Sequence, residues 1–432
     1  MIEEFSFGNM CSFKDIQTLN MSAAKIKSNN SLLDEQNVIP IKDNLSLLKS
    51  KAIYGANASG KSNVIRGLVT FMRIIKNSVK DERSLEFIDA FELSTETMDQ
   101  PTFFQMILRI GNVRYRYGFE ADDSSIKSEW LFSTPNIREQ NLFIRENNKI
   151  LEINQKHFEE GFKLLSLMDD FKDSDDGEIF RKNSLFLSSL ASFGFGKLSK
   201  KIIKAINSIS VISGLGHQGM YAMAGDSLEN IDQKKFVLNF LKNADIGIQD
   251  LETIDLSSQE FPDHIDEGLA KDLRNRKFIL SHRTRYNKQL KKDGNASFSF
   301  LSQESEGTRK MFELSPFIYQ SLKEGTTLII DEFDSRFHPL LTKKIVELYN
   351  SNQNSKAQLI FTTHDTNLLS SEILRRDQID FVEKDKYGAS HLYTLVEIKG
   401  IRNNASFEKD YIQGKYGAIP FLGSFSNLLN FE

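Results

Sequence analysis

Apolar residues fall into three textures along this 432-residue chain, and each predicts a different kind of element. Ala52–Tyr54 make a short apolar run ending in glycine, after which Val64, Ile65, Leu68, Val69, Met72 and Ile75 recur every three or four residues. That succession predicts a strand, a loop and an amphipathic helix. Phe104, Met106, Leu108 and Ile110 then alternate with other residues, Gly111-Asn112 offers a hairpin turn, and Val113, Tyr115, Tyr117 and Phe119 alternate again. An antiparallel meander is expected there. Residues 1–145 thus form a first block of strands around one helix.

The second block, residues 146–273, carries helical spacing over Leu198–Ile209 and Lys234–Leu241, separated by the loops Asp173–Gly177 and Gly214–Gly219. It is expected as an inserted helical subdomain. Its apolar positions do not repeat as heptads, which excludes a long coiled-coil arm. The third block, residues 274–432, returns to α/β alternation through Leu328–Asp331, Leu340–Tyr349 and Gln358–Thr362. The predicted fold class is α/β, a mixed sheet plus an antiparallel meander with a helical insertion.

Composition narrows the class without assigning a function. Hydrophobic residues at 40% and charged residues at 26% match a soluble globular protein, and no apolar run approaches the roughly 20 residues that span a bilayer. The first residues, Met1-Ile2-Glu3-Glu4, are acidic where an export signal is basic, so a cytoplasmic location with no membrane contact is expected. The single cysteine, Cys11, excludes an intrachain disulfide and a multi-cysteine zinc site. A net charge of −4 gives no bulk attraction for nucleic acid. One local stretch differs: residues 274–292 hold eight Lys or Arg with His282 and no acid, with Phe278 and Tyr286 interleaved as stacking groups.

The chemistry concentrates in four short segments. In Gly55-Ala56-Asn57-Ala58-Ser59-Gly60-Lys61-Ser62, a glycine loop lies between strand and helix. Backbone N–H groups and the positive end of the helix dipole converge there, which suits a polyphosphate. Lys61 would neutralise the β and γ phosphates of ATP and Ser62 would ligate Mg²⁺, with Gly55 and Gly60 allowing close approach. Asn57, Ser59 and Asn63 are counted with them as nucleotide-binding positions. The apolar run Thr327–Ile330 ends in Asp331-Glu332, placing Asp331 in the Mg²⁺ shell and Glu332 as general base toward water. A second apolar run, Leu359–Thr362, leads to Thr363-His364, where the imidazole can donate a hydrogen bond to the γ-phosphate. Between them, Ser305-Glu306-Gly307-Thr308 precedes a helix marked by Met311, Phe312 and Leu314.

This order of P-loop, Ser-x-Gly-Thr before a helix, Asp-Glu and Thr-His resembles the ABC ATPase family. The opening Gly8–Asp15 and the asparagine-bearing loop are similar to the SMC, RecF and OLD group within it. The tail segments Asp380–Asp385 and Tyr411–Pro420 resemble bacterial anti-phage ATPases of the abortive-infection and RloA type. The resemblance implies an ABC-ATPase head that dimerises around ATP, with Ser305 and Gly307 of one copy acting in trans on the nucleotide at the other copy's Lys61. It also implies a metal-side glutamine, for which Gln140 ranks first and Gln100 and Gln105 remain alternatives. His338 would line the dimer interface. Ser12, Phe13 and Lys14 either contact the nucleotide or form a surface turn.

Only 68 residues follow His364, too few for a toprim nuclease domain such as OLD-type proteins carry. A separate effector, such as a toprim-like nuclease gated in anti-phage defence, is therefore expected. The alternative is a RecF/SMC-like DNA-binding ATPase of repair or chromosome maintenance. A small-molecule kinase would leave Ser305–Thr308 and His364 idle.

Overall fold

A computed structural model describes residues 1–42, 45–169, 181–194, 196–215, 218–244, 247–256, 266–267, 277–402 and 405–420. The expected loop Asp173–Gly177, and Arg274 and Arg276 of the basic stretch, lie outside the described residues, as do Gly216 and His217 of the Gly214–Gly219 loop.

The strands run in chain order as β1 (Ile2–Gly8), β2 (Gln17–Asn20), β3 (Val38–Lys42), β4 (Leu45–Leu48), β5 (Ser50–Gly55), β6 (Thr102–Ile110), β7 (Val113–Ala121), β8 (Ile126–Thr134), β9 (Gln140–Glu146) and β10 (Lys149–Ile153). They continue as β11 (Ser210–Ser213), β12 (Asp250–Asp255), β13 (Lys277–Tyr286), β14 (Lys292–Ser299), β15 (Thr327–Asp331), β16 (Gln358–Thr362), β17 (Ile379–Lys384) and β18 (Ser390–Thr394). Two sheets organise the molecule. One is antiparallel, ordered β10-β9-β8-β7-β6-β1-β2; the other is ordered β11-β15-β16-β5-β17-β18 and is parallel except for β18.

The parallel sheet is covered on both faces, so β15 and β16 read as apolar runs and all six residues of β5 are buried, Ser50 and Lys51 included. Successive side chains point to opposite faces. Ile53, Ile329, Ile360 and Val382 join the core under the antiparallel sheet, whereas Tyr54, Ile330, Leu359 and Phe381 join the opposite one. The helix Lys61–Asn77 fills the space between the two sheets through Val64, Leu68, Phe71 and Ile75. Phe71 stacks on Phe119 of β7 with centroids 5.5 Å apart. On the far face lie the helices Glu306–Glu324 and Pro339–Asn350. Among the described residues, no helix is long and apolar enough to cross a membrane.

The stretch 146–273 contains the helices Lys197–Asn207 and Ile231–Asn243 where helical spacing placed them. It also contributes strands to partners outside itself. β11 adds to the parallel sheet beside β15, and β12 pairs with β13 across the boundary at 273. The pattern of Ser210-Val211-Ile212-Ser213 is too short to announce a strand, and its partner is more than a hundred residues away.

Candidate functional site

The P-loop leaves β5 as a tight cradle and enters its helix through Gly60, which has φ of 111° and caps the helix. A side chain at Gly60 would strike Ser12 Oγ and Ser390 Oγ, so glycine is required both for the conformation and for the close approach. Ser390 Oγ donates to the carbonyl of Ser59 (2.6 Å) and Asn63 Nδ2 donates to Ser12 Oγ (2.9 Å), tying the loop to β18 and to the β1–β2 turn. Ser12 thus braces the P-loop from outside, Phe13 is fully buried against Phe7, and Lys14 pairs with Glu96.

Lys61 is buried and donates to the carbonyls of Gly55 (2.8 Å) and Ala56 (3.0 Å). Burial lowers its pKa, while Asp331, Asp334 and Glu332 pull the other way. Ser62 Oγ donates to Asp331 Oδ1 at 3.2 Å. Thr362, at the end of β16, donates to the same Asp331 oxygen and accepts the backbone N–H of Glu332 (2.8 Å). His364 is exposed on the cavity; its backbone N–H donates to Asp334 Oδ1 (3.2 Å), and partial desolvation of its ring, with Lys61 nearby, lowers its pKa, favouring the neutral imidazole at neutral pH.

A cavity of about 400 Å³ is lined by residues 57–63 together with Glu332, Thr362, His364 and Lys384. Its chemistry fits a nucleotide with a hard divalent cation. Ser59 Oγ is buried in the loop with no hydrogen-bond partner among the described residues, and Ser62 and Asp331 offer a hydroxyl and a carboxylate, the oxygen set Mg²⁺ takes when phosphates and waters complete its shell.

Other expected residues fall elsewhere. Gln140 opens β9, which is four strand spacings from β1 in the antiparallel sheet, roughly 19 Å at ~4.8 Å per strand. It does not line the cavity. Ser305 and Gly307 also lie off it. Ser305 is exposed and caps the helix Glu306–Glu324 by accepting the N–H of Thr308 (3.1 Å), and Glu306 pairs with Arg336 across 3.5 Å. His338 caps the helix Pro339–Asn350, its Nδ1 accepting the N–H of Leu340 (3.2 Å), the role an Asp commonly fills. In the basic stretch, Lys277 is bound to Asp226 and Glu229, His282 to Glu252 and Arg283 to Glu304. Arg285, Lys288, Lys291 and Lys292 remain exposed around the β13–β14 turn, with Tyr286 and Leu290. Sequence reasoning did not single out Thr362 or Lys384 as lining this cavity. A hydroxyl ending the strand before Thr363-His364 was the available signal for Thr362.

The family model described as "AAA domain, putative AbiEii toxin, Type IV TA system" matches residues 52–172 and 230–370, a span that includes the P-loop, Ser305–Thr308, Asp331-Glu332 and His364. Solved structures of similar fold include the SMC head domain from Thermotoga maritima (11% identity, TM-score 0.40, covering 91% of this chain and 98% of that one). Another is an SMC head bound to the C-terminal winged-helix domain of ScpA (12%, 0.42, 91% and 97%). A third is the SMC head with an extended coiled coil bound to the C-terminal domain of ScpA, from Pyrococcus furiosus (12%, 0.41, 96% and 98%). No curated protein matches the chain.

Proposed function

This chain belongs to the AAA-domain family of the AbiEii type, and from that premise we propose that it hydrolyses ATP in a head that closes on a second copy and gates a separate effector in anti-phage defence. The observation that carries this reading is the division of the chemistry within one chain. Lys61, Ser62, Glu332 and His364 line one cavity, with Asp331 hydrogen-bonded to Ser62, while Ser305 and Gly307 stand on an exposed helix start that does not reach it. A second copy would bring that helix start, with the positive end of its dipole, to the γ-phosphate.

In this reading the backbone of residues 57–62 and the Lys61 ammonium hold the phosphates. Mg²⁺, held by Ser62 and Asp331, would supply charge neutralisation at the phosphate oxygens. Glu332 accepts a proton from water as its oxygen bonds to the γ-phosphorus and the bond to the β–γ bridging oxygen breaks, leaving ADP and phosphate. His364, neutral, donates one N–H to the γ-phosphate, and ADP release reopens the pair of heads. The effector is a different chain, a toprim-like nuclease being the class expected.

The test is Glu332→Gln. ATP binding should persist, turnover should fall by about 10²–10⁴-fold, and a dimer should accumulate with ATP in size-exclusion light scattering. Wild-type turnover, or a monomer at saturating ATP, overturns the reading. For the effector, purification at native levels should bring a second protein with it; repeated isolation of the ATPase alone would count against gating.

A second reading, ATP-dependent nucleic-acid binding of the RecF/SMC kind, draws on the exposed Arg285, Lys288, Lys291 and Lys292 beside Tyr286.

A further inference from the structure

The turn that carries Glu332 is conformationally costly. Glu332 has φ of 53° and Arg336 has φ of 63°, two non-glycine residues in the left-handed region within five positions. Such a conformation is strained for a residue with a Cβ and persists only where its surroundings over-determine it. The surroundings here are specific. Beyond Thr362, which receives the Glu332 N–H, two residues that the proposed chemistry leaves without a role contact this turn at different points along it.

The first is Gly214, at the end of β11. Its N–H donates to the carbonyl of Asp331 at 2.6 Å, continuing the parallel ladder past the Ser213–Asp331 pair. The approach is close enough that a Cβ at Gly214 would sit 2.1 Å from the Glu332 carbonyl oxygen and 2.7 Å from its carbon. These are backbone atoms, which cannot swing aside as the end of a flexible side chain can.

The second is Lys310, on the helix that begins at Ser305. Its side chain is buried, and its ammonium donates to the carbonyls of Phe333 (2.8 Å) and Ser335 and lies 4.2 Å from the centre of the Phe337 ring. Among the described residues no carboxylate forms an ion pair with it. A buried ammonium spent on carbonyl oxygens is expensive for stability alone, since an apolar side chain of the same length would avoid desolvation. Here it closes the turn that follows Glu332.

We propose that Gly214, at the start of the Asp331–Arg336 turn, and Lys310, at its later carbonyls, are positioning residues that together hold the turn and so aim the Glu332 carboxylate at the attacking water. The proposal rests on the reading of Glu332 as the group that activates water. It also gives the two flanking regions a common task. Lys310 lies three residues beyond Gly307, so a shift of that helix when a second copy engages Ser305 and Gly307 is passed to the turn bearing Glu332. Gly214 leads from the same turn into the helices of the middle stretch, so a partner bound there would act on hydrolysis through β11.

The test is steady-state kinetics and nucleotide binding for Gly214→Ala and Lys310→Met, beside Glu332→Gln. Both positioning variants should lose about 10–100-fold in kcat while KM and the affinity for a non-hydrolysable ATP analogue stay within about twofold of wild type. A residue that merely supported the fold would lower analogue affinity and kcat together, or neither. Lys310→Met is near-isosteric and apolar, so it decides the matter if Gly214→Ala does not fold. Turnover within twofold of wild type in Lys310→Met, or a parallel loss of affinity and kcat, overturns the proposal. Glu332→Gln separates the two levels: if it is inactive while Lys310→Met is normal, only the clamp fails, and if it hydrolyses normally, the reading of Glu332 fails and the clamp with it.

Discussion

Lys51→Met isolates the contact that ties the P-loop strand to its neighbours. Lys51 on β5 and Asp380 on β17 form an ion pair at 2.9 Å with both side chains 1% exposed. The same ammonium donates to the carbonyls of Asn20 (2.8 Å) and Asp377 (3.0 Å), so it joins β5 to β17 and to the end of β2. Removing it leaves the buried Asp380 carboxylate with the Thr394 hydroxyl at 2.7 Å, and its other oxygen has no hydrogen-bond partner among the described residues. Breaking a buried pair by deleting one member costs about 3–5 kcal/mol, because the remaining charge stays desolvated. The double variant Lys51→Met with Asp380→Asn removes that charge and keeps an acceptor for Thr394. It should therefore be less destabilised than Lys51→Met alone by about 2 kcal/mol, and with Asp380→Asn alone as the fourth corner the double-mutant cycle gives the coupling.

The pH dependence has a definite sign. Burial already raises the Asp380 pKa above its ordinary value, against the pull of Lys51 and Thr394, and without Lys51 the rise grows. A carboxyl with a raised folded pKa keeps a proton that the unfolded chain releases, so stability falls as pH rises from the unfolded value through the folded one. The Lys51→Met deficit should be larger at pH 7 than at pH 5, read from the first denaturant transition. A deficit under about 1 kcal/mol at pH 7, a deficit independent of pH, or strict additivity in the double variant would refute the reasoning.

Ser305 separates capping from action in trans. Ser305→Ala should cost about 1 kcal/mol and Ser305→Gly only a few tenths, whereas both should weaken ATP-driven dimerisation without changing the nucleotide affinity of the monomer. Dimerisation that follows the stability loss alone would assign the serine to its cap. For nucleic acid, replacing Arg285, Lys288, Lys291 and Lys292 by Gln should lower ATP-dependent DNA affinity and flatten its salt dependence, with a slope change of about one per lost phosphate contact. No binding by the wild-type chain at low salt would remove that reading.

The elements legible in the sequence are those whose signal is local. β5, β15 and β16 are apolar because both faces of the sheet are covered, and the helix after the P-loop shows its spacing because one stripe packs under Phe119. The β6–β7 hairpin followed from alternation around Gly111-Asn112. β11 was not legible: four residues with two apolar positions carry no periodicity, and their parallel partner is set by the whole sheet. The place of Gln140 was not legible either: it opens β9 of the antiparallel sheet, whereas the P-loop leaves β5 of the parallel one, and no local pattern states how the two sheets meet.

Strand order also explains why the cavity needs more than its recognisable motifs. In the parallel sheet β16 lies between β15, which ends in Asp331, and β5, which opens the P-loop. Two strand spacings, roughly 10 Å, therefore separate the backbones of the acid and the loop. Ser62 and Asp331 close that gap with side chains, meeting at 3.2 Å, and whatever ends β16 must stand between them. That position is Thr362, whose hydroxyl is shared by the Asp331 carboxylate and the Glu332 N–H. An apolar residue there would leave the Glu332 N–H without its acceptor and Asp331 without one of its two donors. The order of three strands thus demands a small hydroxyl residue at the end of the middle one, a requirement that neither motif states when it is read alone.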